Sequence, residues 1–200
     1  MTPLIIRRKE PGEVPWYEYK GREFFKLFGA MAWPYGKEPG ATVIIGETFE
    51  KVPEMGRLIL TMIHENPSVP LEHFSNTHIE EFKQSYCLEK IWGDPRNDLN
   101  FSEIPKIHRD KVNTVSDSIN FIESILARKI LRLDDQQTAL LKQLPRLKSA
   151  QGSLNQYPLI GAWFYALTVA DVHQTATYEE PGPVRFIQRR SITEYDEFGL

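Results

Sequence analysis

The chain has 200 residues, 41% hydrophobic and 26% charged, which suits one globular domain with short extensions and a single core. Its net charge of −3 lacks the overall basic footprint of a typical nucleic-acid binder, although a local patch fits within that total. The lone cysteine, Cys87, excludes an internal disulfide, and no apolar run reaches the roughly 20 residues of a membrane helix.

Cys87 lies in an apolar stretch. It reads as a small buried hydrophobe, with a reactive thiol as the alternative. The opening residues MTPLIIRRKEPGEVP hold no long apolar segment of the kind a signal peptide needs. The expected location is therefore the cytoplasm, with no membrane partner.

Residues 1–22 are rich in Pro, Gly and charge and read as an N-terminal arm or edge extension. Arg7, Arg8 and Lys9 form a basic run, either a solvated face or a phosphate contact. Trp16, Tyr17 and Tyr19 cluster there, either to pack the arm on the body or to meet a partner. Residues 23–176 form the predicted domain. Phe24 to Ala32 is dense in apolar residues and reads as a strand. Trp33 to Gly40 reads as a turn, and the β-branched Ala41 to Glu50 as a second strand. After a turn at Lys51 to Gly56, Arg57 to His64 reads as a third strand. These three form an antiparallel meander.

A Pro-rich loop, Asn66 to Pro70, precedes a helix over Ser75 to Tyr86, capped by Ser75 or Asn76. Leu88 to Gly93 reads as a fourth strand, stopped at Asp94-Pro95. Ser116 to Arg128 is a helix with Ser116 as its cap and Ile119, Ile122, Ile125 and Leu126 as its apolar stripe. Ile130 to Leu133 reads as a brief fifth strand. Thr138 to Leu147 is helical despite Pro145, and Ser149 to Tyr157 is a loop. Pro158 to His173 is a strongly apolar helix with Pro at its start. Residues 177–200 form a tail. Three antiparallel strands followed by strands reached through helical crossovers give an α/β fold: a mixed sheet with helices on both faces.

Three stretches carry a resemblance to a known family. They are GAMAWPYGKEPGATVII (Gly29 to Ile45), IWGDPRN (Ile91 to Asn97) and YPLIGAWFYALTVA (Tyr157 to Ala170). In this order, on these elements, they resemble the nuclease domain of the large terminase subunit of tailed phages, an RNase H-like domain. The likeness spans residues 24 to 173. It implies carboxylates on the first strand, the fourth strand and the last helix, gathered at one end of the sheet around two Mg²⁺ or Mn²⁺ ions.

Carried onto this chain, the first-strand acid falls on Ala32, the fourth-strand acid on Asp94 and the helix acid on Gly161. Only Asp94 can ligate a metal through its side chain. It is either a functional remnant or a strand-end Asp satisfied by nearby backbone amides. A hairpin turning at Gly36–Lys37 pairs Ala32 near Ala41. Glu47 then lies roughly 20 Å away along the strand, too far to substitute. Glu65 returns to the Ala32 end, two strands over and roughly 10 Å away. Glu38 and Asp98 are further candidates for a rebuilt site around Asp94. His64, His73, His78 and His108 complete no zinc signature, and there is no phosphate-cradling Gly-x-x-x-x-Gly-Lys-[Ser/Thr] motif or Gly-x-Ser-x-Gly elbow.

The resemblance implies a degenerate nuclease domain, without catalysis or a resident cofactor. It would act as a binding or assembly module in a phage or prophage, with DNA and a separately encoded packaging ATPase as partners. An active Mg²⁺- or Mn²⁺-dependent endonuclease with relocated carboxylates is the first alternative. A protein-interaction domain unrelated to nucleic acid is the second.

Overall fold

The computed structural model describes residues 5–8, 15–93, 115–133, 138–147 and 151–178, with side chains to residue 174. Among the described residues, seven strands form one sheet. β1 (Ile6–Arg8), β2 (Trp16–Tyr19), β3 (Arg22–Ala32), β4 (Gly40–Lys51) and β5 (Leu58–Val69) are antiparallel in sequence. Two short strands follow, each parallel to its neighbour. β6 (Ile91–Trp92) lies beside Gly29 and Ala30 of β3, and β7 (Leu131–Arg132) lies beside Leu60 and Thr61 of β5. The crossover strands thus take opposite edges of the meander.

Period-two alternation divides the side chains of β3 and β4 between two cores. Phe28, Ala30, Ala32, Val43 and Ile45 face one way, towards α2 (Val115–Ala127), α3 (Ala139–Leu147) and α4 (Pro158–Tyr178). Leu27, Met31 and Ile44 face the other way, into a second core shared with Ile79 of α1 (Asn76–Ser85). The fold is therefore α/β, a mixed open sheet with helices on both faces. Every residue from Pro158 to Ala170 is buried, because α4 packs on β3 and β4 beneath and against α2 and α3 at its sides. An all-round apolar helix suits that central place.

Some boundaries differ from expectation. The third strand does not stop at His64 but runs through Pro67 to Val69, so most of the predicted Pro-rich loop is strand. Proline is tolerated there because β7 pairs only with Leu60 and Thr61, and the β4–β5 ladder carries a register shift nearby. The fourth and fifth strands shrink to two residues each. Within residues 1–22, β1 and β2 join the sheet as an edge extension. Arg8 pairs with Glu18 across that edge at 2.8 Å, and Tyr17 is buried. Cys87 is half-buried and its thiol donates to the Ile5 carbonyl at 3.4 Å. Ser75 caps α1, accepting from the His78 amide at 3.4 Å. α2 is described from Val115 onward, and Ser116 lies within the helix rather than at its cap. Residues 179–200 lie outside the described part.

Candidate functional site

The hairpin turns at Gly36–Lys37, with Tyr35 and Glu38 exchanging backbone hydrogen bonds of 3.0 and 2.9 Å. Gly36 sits at φ +60°, a left-handed conformation that glycine adopts without strain. This turn sets Ala32 opposite Ala41, the register expected from the sequence. It leaves Ala32 at the C-terminal end of β3, on the face that meets α4.

Gly161, in the first turn of α4, lies directly over Ala32. A methyl carbon built on Gly161 would stand 3.3 Å from the Ala32 methyl. Trp33, Leu154, Pro158 and Tyr165 close the surroundings, and the void left between them is about 10 Å³. That is at the threshold for a single water and too small for two hydrated cations. The two positions that the family resemblance assigns to acids therefore meet in space, and small side chains have let strand and helix close on each other.

The other candidate acids are distributed as follows. Glu38 is exposed at the hairpin tip, six residues beyond Ala32. Glu65 pairs with Val43, which pairs with Ala30, so it lies at the expected end of the sheet, inside β5 rather than just past it. Its carboxylate is fully engaged. One oxygen accepts from the Ala139 amide at 2.7 Å. The other accepts from the Leu140 amide at 3.1 Å and from the indole N–H of Trp163 at 2.7 Å. Glu65 thus serves as a remote cap for α3, completed by Thr138, whose hydroxyl accepts from the Leu141 amide at 3.2 Å. A carboxylate holding three donors and facing a helix N-terminus is a structural pin. Asp94, Asp98 and His108 lie outside the described residues. Among the described residues no group of three or more His, Cys, Asp or Glu side chains is arranged to hold a metal ion.

Glu47 occupies the far end of β4, opposite Lys26 and six residues along the strand from Ala41. It is wholly buried, and its Oε2 lies 3.3 Å from Nδ1 of His173 on α4. His173 is twelve residues beyond Gly161, roughly 18 Å along the helix. Glu47 therefore takes no part at the Ala32 end. Its partnership with His173 was not apparent in the sequence. The available signal was parity: Val43, Ile45 and Glu47 share one face, so Glu47 had to point into a core.

The histidines separate by role. His64 is half-buried between Thr42 and Tyr86, with Nε2 3.0 Å from the threonine hydroxyl and Nδ1 3.1 Å from the phenol. Burial lowers its pKa below the usual histidine value, and burial raises that of the Tyr86 phenol. His73 and His78 are exposed and stack with ring centroids 5.1 Å apart. All three line one cavity of about 240 Å³. No helix among the described residues is long and apolar enough to cross a membrane. Compared with known proteins, the chain matches no protein-family model, and no curated protein or solved structure shows significant similarity to it.

Proposed function

We propose that this chain is a degenerate terminase-type nuclease domain that works without catalysis, as a cytoplasmic binding or assembly module in phage or prophage DNA packaging. The observation that carries the reading is the Ala32–Gly161 contact. The place where two divalent cations would need anionic oxygens is filled by a methyl group and a bare helix backbone, with about 10 Å³ between their neighbours. Glu65, the carboxylate best placed to compensate, is spent on α3 and Trp163. In this reading DNA and a separately encoded packaging ATPase are the partners, and the fold serves as a shape rather than a reaction centre.

The test is a plasmid-nicking assay with Mg²⁺ and with Mn²⁺, run beside a DNA-binding titration across salt concentrations. The expected result is no metal-dependent cleavage, with DNA binding that weakens steeply as salt rises. Metal-dependent cleavage abolished by Asp94→Ala would overturn the non-catalytic reading. Failure to bind DNA at low salt would remove nucleic acid from its biology.

A further inference from the structure

A cavity of about 250 Å³ opens at the end of α4 away from Gly161. Leu27, Phe28, Trp92, Val169 and Val172 supply its apolar surface, and Lys26, Glu89, Lys90 and His173 its charged groups. The Lys90 ammonium stands 5.7 Å from the centre of the Trp92 ring. Behind this wall lies Glu47, 0% exposed, whose carboxylate oxygens make no hydrogen bond among the described residues. His173 approaches it, with Nδ1 of its ring 3.3 Å from Glu47 Oε2, while the same residue lines the cavity. The other charged groups on the cavity wall are Lys26, Lys90 and Glu89, so two ammonium groups face one carboxylate, leaving one positive charge in excess over an apolar floor.

We propose that this cavity is a binding site for a small amphipathic anion: an aromatic body seated on the apolar surface, with a phosphate or carboxylate held by Lys26 and Lys90. The volume falls below the roughly 300–1,000 Å³ usual for drug-sized ligands, so a single-ring molecule fits the space. Glu47 acts as a positioning residue for the His173 ring. The site is separate from the Ala32 end and stands whether or not the domain binds DNA.

The probe is phenyl phosphate, titrated calorimetrically into the full chain, with inorganic phosphate and phenol as its two halves. Saturable one-to-one binding of phenyl phosphate is expected, with each half weaker by about tenfold or more. Saturation should move the imidazole resonances of His173 in NMR spectra and leave those of His73 and His78 in place. Combining Lys26→Met with Lys90→Met should weaken phenyl phosphate binding by about tenfold or more without lowering the thermal unfolding temperature. Trp92→Leu should weaken phenyl phosphate binding while leaving that of inorganic phosphate unchanged. Non-saturable binding, an unmoved His173, or a double variant that binds like the parent chain would each overturn the proposal.

Discussion

Replacing Glu65 separates a structural pin from a disused metal ligand. In Glu65→Ala the indole N–H of Trp163, a wholly buried residue, loses its acceptor, which costs about 1–3 kcal/mol. The amides of Ala139 and Leu140 lose their cap, worth about 1 kcal/mol more. The expected loss is about 2–4 kcal/mol, a large share of the roughly 5–15 kcal/mol by which a native domain is stable. Glu65→Gln keeps one carbonyl acceptor but gives up the charge. Charge-assisted bonds are roughly twice as strong as neutral ones, so its loss should be about 1–2 kcal/mol. Urea unfolding at neutral pH reads both values, provided the denaturant slope stays constant across the variants. A metal ligand held among other acids would behave oppositely, because removing its charge relieves repulsion. If Glu65→Ala leaves stability unchanged or raises it, while Mn²⁺ binding to the chain falls, the capping argument is refuted.

Three further outcomes follow from the same geometry. Placing an acid on the strand end through Ala32→Asp puts a charge in a void of about 10 Å³ against Gly161. An uncompensated buried charge costs about 3–5 kcal/mol, so thermal unfolding should come roughly 6–20 °C earlier; recovery on adding Mn²⁺ would contradict the packing argument. His64 has a folded-state pKa held below the ordinary value of 6.5 by burial, so the unfolded chain takes up this proton first. The His64 contribution is therefore full above pH 6.5 and is lost as pH falls through that value towards the folded-state pKa. The urea midpoint should drop less steeply between neutral and mildly acidic pH in His64→Gln, and an identical drop in both chains would exclude His64 as its source. At the Glu47–His173 pair the two deletions should differ in sign or size. His173→Ala leaves the polar head of a wholly buried Glu47 without the imidazole beside it and should cost about 1–3 kcal/mol, whereas Glu47→Met should be near neutral or stabilising in the same unfolding assay. Equal losses would show that the contact itself, rather than the stranded polar group, sets the energy.

The amino-acid sequence alone determined the layout of this protein. The β-branched runs, the Gly36 turn and the apolar stripes of α2 and α4 specify a meander followed by crossovers, because hydrophobic period and turn chemistry are local properties. The same locality fixed the Ala32–Ala41 register, since a two-residue turn leaves the pairing no freedom. Strand limits such as the passage of β5 through Pro67 were not legible, because tolerance of that proline depends on how far β7 extends alongside. Only the tertiary structure decided what the acidic residues do. Glu65 became a cap because α3, beginning 74 residues later in the chain, aims its first amides at it. Glu47 became half of a buried pair because α4 delivers His173 to the inner face of β4. Ala32 and Gly161 are unremarkable as letters. Their meaning comes from a helix resting on a strand closely enough that a single added methyl would touch the one already there.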